Sequence, residues 1–296
     1  MTAPRAATSR IVAAAVAAGA LALAAAAAAA PPSRAALCGA DASRPAPARV
    51  AHVVWIWFEN HGYADIVGSH DAPYLNAVAA ACGLATNYHA LVHPSLPNYI
   101  AATSGSTQGI EDDAGPAVHR LAVASLFGQV GGRSYEQSMP FPCALTDIGR
   151  YAVKHDPQAY YLPVRARCPA LVLPLPRLDP RALPRFAFVT PDLCSDMHSC
   201  PVADGDAWLR GFLPRLTRSP GYRAGRTVVF VTFDEAEAGG DNRVATLVLS
   251  EWTRPGTRSP TRFDHYSLLR TSEDLLGVPP LENARTARDM RRAFHL

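Results

Sequence analysis

Ser95 stands in the stretch "HPSLPNYIAATSG", held between two prolines and followed by small and hydroxyl-bearing residues. A serine hydroxyl is a weak nucleophile when free and needs a base or a metal to favour its alkoxide. Pro94 and Pro97 restrict the backbone on either side, and "PNYIAATSG" can begin a helix whose first amides and dipole favour a phosphate. The same position also reads as a helix N-cap serine. The two readings are compatible, because a cap presents its oxygen at the positive end of the helix.

Carboxylates gather at three other points. "VVWIWF" delivers Glu59 and Asn60, "FAFVTP" delivers Asp192, and "VVFVTF" delivers Asp234 and Glu235. "PDLCSDMHSC" adds Asp196 and His198 on a short loop that a Cys194–Cys200 disulfide would close, holding ligands in place. Carboxylates crowded together repel and raise each other's pKa unless a cation neutralises them, so a divalent metal site is the economical explanation. Histidine with carboxylates suits zinc, manganese or iron, whereas oxygen ligands alone also suit magnesium or calcium. His265 in "FDHYSLL" reads as a ligand, a phosphate donor or a simple cap. His61, His89, His93 and the Lys154–His155 pair are further loop candidates, each more often solvated than functional when taken alone.

The elements that must position these groups follow from periodicity. "HVVWIWF", "RFAFVTPD", "TVVFVTFDE" and "VATLVLS" are continuous apolar runs, the pattern of strands buried on both faces. "APYLNAVAAAC", "HRLAVASLFGQV", "DGDAWLRGFLPRL" and "HYSLLRTSEDLLG" read as helices, the last ending at a glycine followed by Val-Pro-Pro. Strands alternating with helices predict an α/β fold, a mostly parallel sheet covered by helices on both sides, and ligands in such sheets bind beyond the carboxyl ends of the strands. The proline-rich middle, about 139 to 185, reads as an excursion from that sheet and not as a separate domain.

The first residues are set apart from the fold. "MTAPRAATSR" carries two arginines and no acid and runs into an alanine-rich apolar stretch, which is the layout of an export signal. Residues 1–30 are assigned to that signal, with cleavage between about 30 and 36, 31–50 to a linker and 51–296 to the catalytic domain; a retained N-terminal membrane anchor is the minor alternative. Removing the signal lowers the formal charge from +3 to about +1, which gives no reason to expect nucleic acid or an anionic membrane as the main partner, and no stable membrane insertion is expected after cleavage. Six cysteines in an exported chain imply three disulfides, and sequence proximity favours Cys194–Cys200 and Cys143–Cys168, leaving Cys38 with Cys82. Location outside the cytoplasm follows, either secreted or in the periplasm and cell envelope.

In order along the chain, "WFENHGY", "HPSLPNY", "YAVKHDP", "VTPDLCSDMH", "VTFDEAE" and "DHYSLLRTSEDLLG" resemble the phosphoesterase family of bacterial and fungal acid phosphatases and non-haemolytic phospholipases C, within the alkaline phosphatase superfamily. The resemblance implies a three-layer α/β/α domain with its active site at the carboxyl rim of the sheet. "SLPN" is similar to the "TFPN" nucleophile motif of nucleotide pyrophosphatases, which puts the attacking hydroxyl at Ser95. It further implies a first metal at Glu59, Asp234 and Glu235, with Asn60 beside them, and second-site positions at Asp192, Asp196 or His198, and His265. The resemblance also implies that Lys154 and His155 lie near the substrate, and His93 is a further substrate-binding candidate. The usual Asp-His pair is Asp-Glu here and Asp192 to His198 is longer than the usual spacing, so one metal or two are both compatible with the motifs.

The activity expected is hydrolysis of a small phosphate ester through a phosphoserine on Ser95, with His265 or His155 stabilising the leaving oxygen. Two rivals are a phosphodiesterase or phospholipase C acting on lipid head groups or nucleotides, with an apolar entrance near the rim, and a secreted metal- or phosphate-binding protein without turnover.

Overall fold

A computed structural model describes residues 1–3, 37–39, 45–238 and 240–296. The expected export signal, its cleavage region and much of the linker lie outside the described residues. Pro31–Leu296 forms one compact unit.

Its centre is a nine-stranded sheet. In chain order the strands are β1 (His52–Phe58), β2 (Gly83–His89), β3 (Arg133–Glu136), β4 (Val172–Pro174), β5 (Phe186–Thr190), β6 (Thr227–Phe233), β7 (Arg243–Leu249), β8 (Thr257–Ser259) and β9 (Phe263–Asp264). They lie in the order β4-β3-β5-β1-β6-β7-β2-β8, with β9 also on β2. All neighbours are parallel except across β7, which is antiparallel to both β6 and β2. The connection from β6 to β7 is too short for a crossover, which needs a dozen or more residues, so the chain must turn back.

The five longest helices among the described residues flank the strands: α1 (Pro73–Ala81), α2 (Ser95–Ser104), α3 (Leu126–Val130), α4 (Val202–Thr217) and α5 (His265–Leu276). Alternation along β1 sends Trp55 and Trp57 to one face, where Trp55 Nε1 donates to Ser272 Oγ of α5 (3.0 Å) and Trp57 packs on Tyr99 of α2. Phe58 meets Trp208 of α4 on the other face, where α1 also lies, its first amides donating to the buried Asp206 of α4. Three layers result, as the resemblance implies.

The three disulfides are Cys38–Cys82, Cys143–Cys168 and Cys194–Cys200, the pairing that sequence proximity favoured.

Three local expectations are corrected. Residues 119–125 are not helical, because Leu121 exchanges backbone hydrogen bonds with the segment at Tyr160 and Leu162. The helix begins only after Ser125, whose hydroxyl caps Gly128 N. Within the proline-rich excursion, β4 returns to pair with β3, so the excursion itself supplies the edge of the sheet. Ser95 is not a cap: Pro94 holds that position and Ser95 is the first residue of α2.

Candidate active site

Because β1, β5 and β6 are adjacent and parallel, their carboxyl ends deliver the acidic groups side by side. Phe58 and Phe233 are in register, so Glu59 and Asp234 follow as neighbours, and Asp234 N donates to the Phe58 carbonyl at 3.0 Å. β2 runs parallel to them two strands away and leads through residues 90–94 into α2, which brings Ser95 over the same rim.

Glu59 is the hub. Its Oε2 accepts the Ser95 hydroxyl at 3.0 Å and lies 3.2 Å from His155 Nε2, while its Oε1 accepts the Tyr99 hydroxyl. On its other side His155 Nδ1 is 3.2 Å from Asp196 Oδ2, so a line of contacts runs from Asp196 through His155 and Glu59 to Ser95. All four residues are buried. Burial works to raise the Glu59 carboxyl, but the His155 charge and hydrogen bond, with the Tyr99 hydroxyl, overcome it and hold Glu59 low. Burial likewise opposes charge on His155, and the two flanking carboxylates win, pushing its pKa well up so that it is an imidazolium in place. The Tyr99 ring stacks on His155, 5.5 Å between centroids.

The other half of the rim is short of partners. Asp234 Oδ1 accepts the Asn60 amide, at 3.0 Å, and Asp234 Oδ2 and Asn60 Oδ1 are buried without a hydrogen bond. Burial, then the charges of Glu59 and Glu235, push the Asp234 carboxyl well above its ordinary range. Glu235 is raised by burial, then by Glu59 and Asp113. Its Oε2 accepts from Asn98 Nδ2 (3.2 Å) and meets His93 Nδ1 (2.9 Å), while Asn98 Oδ1 accepts the amides of Leu91 and Val92 and so shapes the turn that presents Ser95.

The chemistry of this donor set suits an oxygen-ligated cation: several buried carboxylates, an amide oxygen and too few donors among them. Asp234 and Asn60, with Glu59 and Glu235, are the residues that fit. Among the described residues, the one set of three His, Cys, Asp or Glu side chains with ligand atoms all within 4.8 Å of each other is Cys194, Cys200 and Asp204, whose sulfurs are spent on a disulfide, so Glu59, Asp234 and Glu235 stand wider apart than that.

Several expected second-site groups are engaged otherwise. Asp192 Oδ2 accepts the Ser138 hydroxyl (2.6 Å) and Oδ1 accepts the amides of Cys194 and Ser195, so this carboxylate organises its own loop. His265 is fully buried; its Nε2 donates to the Asp234 carbonyl (2.7 Å) and its Nδ1 accepts from the Tyr88 hydroxyl (3.0 Å), leaving no ring nitrogen free for a metal or a leaving group. The helix cap there is Asp264, not His265. His198 stays exposed beside His155, 5.7 Å between ring centroids, with Nδ1 3.1 Å from Ser199 Oγ. His61 packs on Phe233, and His89 spans Asn87 and Asp241.

Asp113 belongs to the site and has no motif around it. Its Oδ1 accepts the Leu96 amide (3.0 Å), at the start of α2, and its Oδ2 binds Lys154 Nζ (2.8 Å). This carboxylate therefore sits at the helix N-terminus where an anion is favoured and pins the one lysine of the chain there. Tyr99 was also legible only in hindsight: it lies four residues after Ser95 on the same helical face.

The fold is similar to that of a Vibrio parahaemolyticus protein in the alkaline phosphatase superfamily, with a TM-score of 0.57 at 14% identity, over 83% of this chain and 71% of that one. A lipoteichoic acid synthase from Listeria monocytogenes shares the fold with a TM-score of 0.53 at 11% identity, over 82% and 76%. Residues 175–279 match the Phosphoesterase family, and over 244 residues the chain is 31% identical to phosphatidylinositol-3-phosphatase of Mycobacterium tuberculosis, 80% of each chain being covered. It is 27% identical to an acid phosphatase of Aspergillus fumigatus over 76% of this chain, and spans 55% of that longer protein. The chain belongs to the phosphoesterase family and is a phosphoric ester hydrolase.

Proposed function

We propose that the protein is an exported, metal-dependent phosphomonoesterase of the acid phosphatase type that works through a phosphoserine at Ser95. The observation that carries this reading is the Ser95 hydroxyl at the first position of α2, donating to Glu59 beside Asp234, whose Oδ2 is buried without a hydrogen bond. Glu59 takes the Ser95 hydrogen to one side and leaves an oxygen lone pair free for phosphorus. The N-terminus of α2 and Lys154 supply positive charge for the phosphoryl oxygens. His155, held as an imidazolium between Glu59 and Asp196, fixes Glu59 and offsets part of the local negative charge. His93 and Lys154 are partly exposed and stand where a leaving oxygen can be reached by a donor.

A divalent cation held by Glu59, Asp234, Glu235 and Asn60 would acidify the Ser95 hydroxyl and withdraw charge from the ester. The residues favour one such cation over two, since Asp192 and His265 are committed elsewhere. The alanine-rich leader and the disulfides support export, and no described helix is long and apolar enough to cross a membrane.

A second reading has an observation of its own. A cavity of about 540 Å3 is lined by Trp208, Phe212, Leu175 and Pro176 and reaches Ser138, the partner of Asp192. It draws its apolar wall partly from the proline-rich excursion and would suit an ester with an apolar leaving group, as a phospholipase C or other diesterase requires.

One panel separates these readings. With p-nitrophenyl phosphate, bis-p-nitrophenyl phosphate and phosphatidylcholine, each with and without chelator, the monoester is expected to turn over fastest and to stop on chelation. Preference for either diester would favour the second reading. Binding of phosphate without release from any ester would overturn both.

A further inference from the structure

On the flank of the sheet formed by β8, β9 and the last residues, a cavity of about 750 Å3 is lined by Arg258, Arg270, Arg288 and Arg292, with Asp289 as its one acidic side chain. No residue assigned above to catalysis or metal binding lines it. The volume is that of a small-molecule site.

Two observations distinguish this cavity from a generally arginine-rich surface. Positive charge is concentrated here: residues 252–263 hold Arg254, Arg258 and Arg262 and no acid, and residues 285–296 hold Arg285, Arg288, Arg291 and Arg292 against Asp289 alone, an excess larger than the formal +3 of the whole chain. The nearby ion pairs also sort the arginines into two groups. Arg270 and Arg291 are tied to Asp274, and Arg291 also to Asp289, whereas Arg258, Arg288 and Arg292 are exposed and have no acidic partner among the described residues. Like charges converging on one cavity repel unless an anion sits between them. Guanidinium groups present planar, paired donors that match phosphate oxygens.

We propose that this cavity is a second anion site that binds a phosphate-bearing group, apart from the ester hydrolysed at Ser95. Arg288 and Arg292 from the C-terminal segment line the cavity together with Arg258 of β8, which also donates to the Ala79 carbonyl, and Arg270 of α5, which is held by Asp274 and the carbonyls of Ala284 and Arg285. The group bound is either free in solution or the phosphate of a lipid head group, and the chemistry of recognition is the same. Neither source requires turnover, so this site stands or falls independently of the phosphatase reading.

The test uses the full chain carrying Ser95→Ala, with pyrophosphate followed by calorimetry and with sedimentation on phosphatidylcholine vesicles with and without phosphatidic acid. Arg288→Ala/Arg292→Ala is compared with Arg181→Ala, an exposed arginine elsewhere, and with Arg288→Lys/Arg292→Lys, which keeps the charge and loses the fork. The expected result is at least about tenfold weaker binding in the double alanine variant, partial loss in the lysine variant and none in Arg181→Ala. Added salt should weaken the same binding event. If the loss appears with pyrophosphate, the anion is a soluble one; if it appears only on phosphatidic acid vesicles, it is a head group; either supports the site. Equal binding by all four proteins to both probes, or no binding beyond the catalytic site, overturns it.

Discussion

Asp234 and Asp192 leave neighbouring parts of one sheet rim in the same way, each just past an apolar strand, and their surroundings are opposite. Asp192 has a hydroxyl on one oxygen and two amides on the other, and these donors hold its pKa down against partial burial. Asp234 has one amide, an oxygen with no partner, and two like charges nearby, and burial with those charges pushes it far up. A strand-end carboxylate is thus not a ligand by position. It is poised for a cation or a reaction only where its own loop declines to complete it, and a buried group left incomplete is costly to keep without a use.

That contrast can be broken most forcefully at the incomplete side. Ser95→Ala is expected to lower kcat on a monoester by at least about a thousandfold while the melting temperature stays close to wild type, measured by initial rates and calorimetry. Asp234→Asn should cost about a hundredfold and reduce the metal retained after dialysis, read by elemental analysis. Full metal content in that variant would remove Asp234 from the ligand set. Asp113→Asn, which loosens Lys154 at the start of α2, should act mainly on substrate binding, raising KM about five- to tenfold with a smaller change in kcat. At the completed side, Asp192→Ala should lose about 1–2 kcal/mol of stability through its orphaned amides and keep kcat within about threefold. A collapse of activity there would restore Asp192 to the metal.

The smallest effect expected is on pH. Burial pushes the Asp156 carboxyl up to about 7, against hydrogen bonds from Ser134 and Tyr151. A raised folded pKa means that the folded chain holds a proton the unfolded chain has already lost, so this contribution to stability is full below the ordinary value of 3.8 and fades as pH rises through about 7. Asp156→Asn cannot titrate, so its melting temperature relative to wild type should climb between pH 4 and pH 7. A constant difference would mean that Asp156 is ionised throughout.

Much of the rim was legible because buried parallel strands announce themselves as apolar runs and chain position then names the residue at each carboxyl end. Glu59, Asp234 and Glu235 were found in that way, and the family's motif order supplied Ser95. The reversal of β7 was hidden, since an apolar run carries no direction; only the short link from β6 does. Asp113 was hidden for another reason. It lies in an irregular stretch without periodicity, and its role comes from a tertiary contact with α2 that no spacing encodes. The commitments of Asp192 and His265 depend on Ser138 in the turn after β3 and Tyr88 on β2, hydroxyls distant in sequence, and hydrogen-bond completion of that kind cannot be read along the chain.

The central claim is the covalent one, and rapid acid quench of the wild-type protein during turnover of a radiolabelled monoester tests it most directly. The account predicts a burst of label retained on the peptide that contains Ser95, acid-stable as a phosphoserine is, and absent in Ser95→Ala. Turnover with no labelled protein, or label on another residue, would contradict it.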